Sequence, residues 1–213
     1  MKKYIISKLK QYSINKTLNE ASFFDIDMKD IIDDKYVNSI INDGTAHILL
    51  NHYMDENDLT DKDENEVLDS PEFFDFLKSE LEKNFEDAML NIGDLINYDT
   101  NKIKIHRVIT VDDNWLEHLQ KQGKRLGIYW SWDKDYAEAH WADTNKKNTA
   151  LIESEIDEKY VDWERTLKMN AHFSFSEERE ISLFKNTPLK ITNLTINDEE
   201  IDTSIFKNKT FYA

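Results

Sequence analysis

Cysteine is absent from this chain of 213 residues, and glycine occurs only four times. Without cysteine, the protein has no thiol nucleophile, no CxxC redox pair, no thiolate-bound iron–sulfur cluster and no cysteine-based zinc site. The glycines are too few and too scattered to form GxGxxG, GxxxxGK(S/T) or GxSxG; they are Gly44, Gly93, Gly123 and Gly127. These absences exclude a Rossmann fingerprint, a P-loop and the nucleophile elbow of an α/β-hydrolase.

Long hydrophobic runs are also missing. Behind the basic start Met1-Lys2-Lys3, the apolar stretch comprises only residues 4–6, which is too short for the hydrophobic region of a secretion signal. Elsewhere the longest runs resemble residues 48–50 and are far below the ~20 apolar residues of a transmembrane helix. We therefore expect a soluble, cytoplasmic protein that has no membrane partner.

Basic residues are scarce in the first half of the chain. The net charge is −16, of which residues 1–100 contribute −13 through 10 Lys and Arg against 23 Asp and Glu, and residues 101–213 contribute −3. This asymmetry indicates two regions with different roles. An acidic surface repels the phosphate backbone, so the charge disfavours broad nucleic-acid binding.

The first hundred residues predict helices that are joined by polar turns. The clearest helix begins at Ser70-Pro71, because serine is a preferred N-cap and proline a preferred first helical residue. An apolar stripe with helical spacing follows it and ends near Gly93: Phe73, Phe74, Phe76, Leu77, Leu81, Phe85, Met89, Leu90 and Ile92. We expect this helix to belong to an acidic, mainly helical lobe over residues 1–100.

The hydrophobic period changes from helical to alternating after Asn101. Alternation and β-branched residues predict strands over residues 102–111, 126–132, 150–156, 171–175, 180–184 and 189–196, with short helices over 113–122 and 133–141. Strands that follow a block of helices indicate an α+β fold rather than a doubly wound parallel sheet. We therefore expect a boundary between residues 93 and 102 and a second domain over residues 101–213.

The acidic segment from Asp61 to Glu72 has oxygen-bearing side chains at positions 1, 3, 5, 9 and 12 of a twelve-residue loop, which is the ligand spacing of an EF-hand. Position 6 is Glu66, however, where the sharp turn of that loop needs glycine. We interpret the segment as a solvated turn that leads into the Ser70 N-cap, and we assign no metal site. Calcium binding by this loop is the alternative.

Three segments of the second half resemble the ADP-ribosyltransferase family, in its Arg-Ser-Glu branch of bacterial toxins and phage enzymes. Lys104-Ile105-His106-Arg107-Val108 is similar to the family's first strand, and Gly127-Ile128-Tyr129-Trp130-Ser131-Trp132 is similar to the strand that supplies the serine. Residues 176–191, which contain Glu178 and Glu180, are similar to the Glu-x-Glu segment and the strands around it. The resemblance spans residues 102–196 and keeps the order arginine, serine, Glu-x-Glu.

The resemblance implies an NAD-dependent ADP-ribosyltransferase that binds NAD in the cleft of a split β-sandwich. Glu180 would stabilise the oxocarbenium-like ribose, and Glu178 would orient or deprotonate the acceptor. Arg107 would bind the pyrophosphate, Ser131 would hold Glu180 and the active-site strands, and Tyr129 would stack on nicotinamide. The acceptor would be a protein or nucleic-acid group that the sequence does not identify.

The residues leave two alternatives open. Only Ser131 represents the Ser-Thr-Ser of the Arg-Ser-Glu branch, so the related His-Tyr-Glu branch is retained, with His106, Tyr129 and Glu180 as its members. The second alternative is an acidic interaction or inhibitor protein without catalysis, in which the charge of residues 1–100 mimics that of nucleic acid.

Overall fold

A computed structural model describes residues 23–121, 125–141, 148–172 and 179–213. The fold is α+β: helices form most of residues 23–95, and an antiparallel six-stranded sheet lies in the second half. The predicted fold class is therefore confirmed at the level of α+β.

The described part of the first half consists of a 3₁₀ turn at Phe23–Asp25 and five α-helices: α1 (Met28–Ile31), α2 (Asp34–Asn42), α3 (His47–Glu56), α4 (Glu64–Leu68) and α5 (Pro71–Leu95). The predicted cap of α5 is confirmed, because Ser70 Oγ accepts a 3.2 Å hydrogen bond from the Phe73 N–H. The helix ends at Leu95, shortly after the predicted Gly93. In the described ranges, every helix is too short or too polar to cross a lipid bilayer.

The second half combines strands with short helices. Its described α-helices and strands are β1 (Lys102–Thr110), α6 (Trp115–Lys121), β2 (Tyr129–Ser131), α7 (Lys134–Trp141), β3 (Thr149–Asp157), α8 (Trp163–Ala171), β4 (Glu180–Ser182), β5 (Pro188–Leu189), β6 (Ile191–Ile196), β7 (Glu199–Glu200) and β8 (Phe211–Tyr212). Two 3₁₀ helices, Glu158–Tyr160 and Thr203–Phe206, lie between them. The main sheet has the strand order β4-β2-β1-β3-β6-β7, while β5 pairs with β8. β2 therefore joins β1 to β4, two strands that are far apart in the sequence.

Most predicted strands are confirmed, with changes at their ends. β1, β3 and β6 occur where alternation predicts them, whereas β2 and β4 are shorter than predicted. The prediction of a strand over residues 171–175 is wrong at its start, because Ala171 is the last residue of α8, and residues 173–175 lie outside the described ranges. Helix α8 is not among the predicted elements. Its N-cap is Asp162, which accepts a 3.1 Å hydrogen bond from the Arg165 N–H.

The acidic segment 61–72 folds into a short capped helix. The Asp63 carboxylate accepts hydrogen bonds from the N–H groups of Asn65 at 2.9 Å and Glu66 at 3.3 Å, so it caps α4. Glu66, which occupies the position where an EF-hand loop needs glycine, lies inside that helix. Among the residues that the structure describes, no group of three or more His, Asp or Glu side chains is arranged to hold a metal ion.

One buried apolar core extends through both halves of the described chain. Leu81 of α5 and Ile103 of β1 both belong to it, and both side chains are fully buried. Helix α8 connects the halves, since the Asn84 side chain on α5 donates a 3.2 Å hydrogen bond to the Ala171 carbonyl oxygen. The boundary between residues 93 and 102 stays a prediction, and the core is continuous across it.

We predict that Leu81→Ala lowers the free energy of unfolding by about 2–5 kcal/mol, because it leaves a cavity in the continuous core. Tryptophan fluorescence reports on the second half, which contains all five tryptophans, and far-UV circular dichroism reports mainly on the helices. Both signals should shift to the same lower urea midpoint. The control Leu95→Ala, at a position 42% exposed on the same helix, should change the stability by less than about 1 kcal/mol. Two separate transitions would contradict a continuous core.

Candidate active site

A row of buried polar side chains crosses four neighbouring strands. Backbone pairing places Ser131 of β2 opposite both Glu180 of β4 and His106 of β1, and it places His106 opposite Glu153 of β3. Residues that lie directly opposite each other in a sheet have their side chains on the same face. All four residues are at most 7% exposed. The pairing thus brings the three segments of the predicted site onto adjacent strands.

The Glu180 carboxylate is held by a neighbour on its own strand, and α8 holds the backbone of that strand. The Ser182 hydroxyl donates a 2.7 Å hydrogen bond to Glu180 Oε1. Behind the strand, the Asn170 side chain donates to the Glu180 carbonyl oxygen at 2.7 Å, and Thr166 Oγ1 accepts from the Ser182 N–H at 3.0 Å. Ser182 was not predicted as a site residue. Strand alternation is the signal that identifies it, because residues two apart on a strand share a face.

Ser131 holds the strands together through backbone groups. Its hydroxyl donates a 3.2 Å hydrogen bond to the Arg179 carbonyl oxygen and accepts a 3.1 Å bond from the Asp133 N–H. The Arg179 guanidinium in turn pairs with the Asp133 carboxylate. The Glu180 carboxylate accepts a hydrogen bond from the Ser182 hydroxyl, whereas the Ser131 hydroxyl bonds to the backbone of Arg179 and Asp133. Because Ser131 is fully buried, its hydroxyl is not accessible as a nucleophile.

Arg107 lies on the opposite face of β1 from His106, since side chains alternate along a strand. Its guanidinium donates a hydrogen bond to the Tyr129 carbonyl oxygen. The guanidinium also packs closely against Gly127, since a Cβ atom added to this glycine would lie only 2.9 Å from Arg107 Nη2. Gly127 also has φ +89°, a conformation that favours glycine. Burial lowers the pKa of Arg107, and the negative charge of Glu180 opposes that effect. Arg107 therefore fixes the start of β2.

Tyr129 shares its face of β2 with Ser131 and pairs with Ser182 across the strands. Its hydroxyl accepts a hydrogen bond from the Arg165 guanidinium, whose central carbon lies 4.8 Å from the centre of the tyrosine ring. The tyrosine is partly exposed, so its ring forms part of the accessible edge of the polar row.

His106 sits between Ser131 and the Glu153 carboxylate in the row. Burial lowers the pKa of His106, and the charge of Glu153 only partly opposes this, so the ring is largely neutral at pH 7. Its Nδ1 has no hydrogen-bond partner in the described ranges. Burial also raises the pKa of Glu153, but the 2.5 Å contact with Lys104 Nζ, together with His106, brings that pKa below its ordinary value.

A cavity of about 430 Å³ adjoins the Glu180 end of the row. It lies between helix α5 and the second half of the chain, and its lining residues are Asn84, Asp87, Ala88, Asn91, Trp132, Tyr136, Asn170 and Arg179. Glu178, the residue predicted to orient the acceptor, lies outside the described residues.

The row combines the buried Glu180 carboxylate with the neutral His106 imidazole. The Arg107 guanidinium lies on the opposite face of β1. A buried carboxylate can stabilise a developing positive charge, and a neutral imidazole can both donate and accept a hydrogen bond. Comparisons of the chain with family models, curated proteins and solved structures find no match. A function is therefore inferred from these residues and their geometry.

We predict that the protein loses stability as the pH falls from about 7 to 5. Burial lowers the pKa of His106 and of His172 in the folded state, so below about 6.5 the unfolded chain binds more protons and is favoured. Urea unfolding at pH 7.5, 6.0 and 5.0 measures this loss. His106→Asn should make this loss smaller, because it removes one of the two buried imidazoles. The control His52→Asn, at an exposed position on α3, should lose stability as the wild type does, and an equal loss in the His106 variant would contradict the prediction.

Proposed function

We propose that this protein is an NAD-dependent ADP-ribosyltransferase and that its strands form the split β-sandwich of that family. The observation that supports the proposal best is the pairing of β1, β2 and β4, which aligns His106, Ser131 and Glu180 although they are far apart in the sequence. These strands carry the three segments that resemble the family.

Glu180 is the proposed catalytic carboxylate. When the bond between nicotinamide and ribose breaks, nicotinamide leaves with the bonding electrons and positive charge develops on the ribose. The Ser182 hydroxyl, 2.7 Å from Oε1, holds the carboxylate before any substrate binds, and Asn170 on α8 holds the backbone of the same residue. Such preorganisation is what electrostatic stabilisation of a transition state requires.

The residue on β1 distinguishes the two branches of the family. The geometry supports His106 over Arg107 as the NAD-binding residue, because His106 shares a face with Tyr129 and Glu180. Arg107 lies on the other face, and its guanidinium donates to the Tyr129 carbonyl oxygen. We therefore assign the site to the His-Tyr-Glu pattern and give Arg107 the role of positioning β2.

The acceptor of ADP-ribose is proposed to be a protein or nucleic-acid group. The charge of −13 over residues 1–100 favours a basic protein, because an acidic surface attracts basic partners and repels phosphate. Glu178 retains its predicted role of orienting the acceptor nucleophile.

We predict that Glu180→Gln slows nicotinamide release from NAD by about 10²- to 10⁴-fold, because it keeps the shape of the side chain but removes the charge that faces the ribose. Chromatography of the reaction mixture measures the free nicotinamide. NAD affinity should change little. The control Glu200→Gln, on the exposed edge strand β7, should keep the wild-type rate.

A folded Glu180→Gln protein that releases nicotinamide at the wild-type rate would place the chemistry elsewhere. If the wild-type protein leaves NAD intact and instead binds a basic protein in a salt-sensitive manner, the acidic interaction protein is the correct interpretation.

We predict that His106→Ala weakens NAD binding by at least about tenfold, because it removes the imidazole from the polar row. Arg107→Lys should bind NAD with nearly wild-type affinity and lower mainly the melting temperature, since the positioning of β2 is disturbed. Calorimetric titration with NAD and thermal unfolding of both variants separate the two roles. If Arg107→Lys abolishes binding in a folded protein and His106→Ala is tolerated, the Arg-Ser-Glu assignment is correct.

A further inference from the structure

Phe184 is an exposed aromatic residue just beyond β4, the strand that carries Glu180. The N–H of Leu183 donates a 2.8 Å hydrogen bond to the Ile128 carbonyl oxygen, on the side of β2. The N–H of Phe184 donates a 3.0 Å bond to the Tyr160 carbonyl oxygen, on the opposite side. Because successive N–H groups of an extended chain point to opposite sides, the strand conformation continues through Phe184, and its side chain lies on the same face as Glu180. Phe184 is 51% exposed, whereas Leu183 is buried in the core on the other face.

The Arg165 guanidinium lies on this same face. It donates to the hydroxyl of Tyr129, and Tyr129 pairs with Ser182, the residue halfway between Glu180 and Phe184. The bond to the tyrosine uses one of the five N–H donors of an arginine side chain and leaves the others for a ligand. Arg165 is exposed, so these donors are accessible from the solvent.

The charge of Arg165 is not neutralised by a neighbouring carboxylate. On the same helix, Lys168 pairs with Glu164 at 2.7 Å, and at the other end of β4 the Arg179 guanidinium pairs with Asp133. Within the described part of the chain, Arg165 forms no such ion pair. A planar guanidinium with free donors matches the oxygens of a phosphate group, which it can bind through two parallel hydrogen bonds.

A dinucleotide needs a site that extends beyond the reacting ribose. In NAD a diphosphate joins the nicotinamide ribose to adenosine, so a molecule whose reacting ribose lies at Glu180 must place an anion and a second ring elsewhere on the protein. Along β4 the Arg165 guanidinium comes next, and Phe184 follows at about 13 Å from Glu180, measured along four residues of extended chain. An exposed aromatic ring is a stacking surface for a base.

We propose that Arg165 and Phe184 bind the adenosine diphosphate half of the substrate, with the guanidinium on the diphosphate and the phenyl ring stacked on adenine. The inference rests on the proposed function, which sets the direction of the substrate from the reacting ribose at Glu180 to the base at Phe184. The resemblance to a catalytic family assigns no role to either residue. Both follow from their position on the face of the polar row and from their exposure.

Calorimetric titration of the full chain with ADP tests both residues without turnover, since ADP has no nicotinamide to lose. Phe184→Ala removes the stacking ring, and Arg165→Gln removes the charge but keeps a donor for Tyr129. Each variant should bind ADP at least about tenfold more weakly than the wild type. The wild type should also prefer ADP to UDP, because the larger base has more surface to stack, and Phe184→Ala should lose this preference.

Two matched variants serve as controls. Tyr212→Ala removes another exposed aromatic ring, 41% exposed on β8. Lys168→Gln removes another cation of α8, whose Nζ lies 5.5 Å from the centre of the Tyr36 ring. Both controls should bind ADP with the affinity of the wild type, and thermal unfolding checks that all four variants are folded.

Wild-type affinity for ADP in either Phe184→Ala or Arg165→Gln would overturn the proposal, as would an equal loss in the controls or no ADP binding by the wild type at about 5 mM. The release of nicotinamide from NAD is measured on the same proteins. If the wild type releases nicotinamide but neither variant changes the ADP affinity, only this subsite is wrong. If ADP binds through these residues but NAD stays intact, only the proposed reaction is wrong.

Discussion

The three-residue strand β2 determines which side chains form the candidate site. It pairs with β1 on one edge and β4 on the other, and a shift of one residue would replace Ser131 in the polar row by a neighbour from the opposite face. Two contacts oppose such a shift. The Trp130 side chain is fully buried in the apolar core on the opposite face, and the Arg107 guanidinium of β1 donates to the Tyr129 carbonyl oxygen.

Helix α8 connects this sheet to the acidic helical half. On one side Asn170 and Thr166 bond to the backbone of β4, and on the other side α8 packs against α5 in the continuous core. The position of the Glu180 carboxylate therefore depends on the helical half, although the resemblance to a catalytic family lies in the second half. Asn170 contributes both to this support and to the wall of the adjoining cavity.

Local patterns predicted the parts of the fold that local chemistry controls. Ser70-Pro71 identified the start of α5, and alternation identified β1 and β3. Helix α8 was missed because its buried face includes Thr166 and Asn170, which interrupt the apolar pattern. The site residues came from a resemblance, but their relative placement depends on strand register. Register arises from contacts between distant segments, so neither the row of His106 with Glu180 nor the contact of Ser182 with Glu180 could be derived from spacing.

The most direct measurement is a crystal structure of the Glu180→Gln protein soaked with NAD, because a slow variant keeps the substrate intact. We predict that the nicotinamide ribose lies beside residue 180, with its 2′-hydroxyl within about 3 Å of the side-chain amide, and that the ligand contacts His106 and Tyr129 on the same face of the sheet. NAD bound away from this face, or no bound NAD in crystals of folded protein, would contradict the assignment of the polar row as the active site.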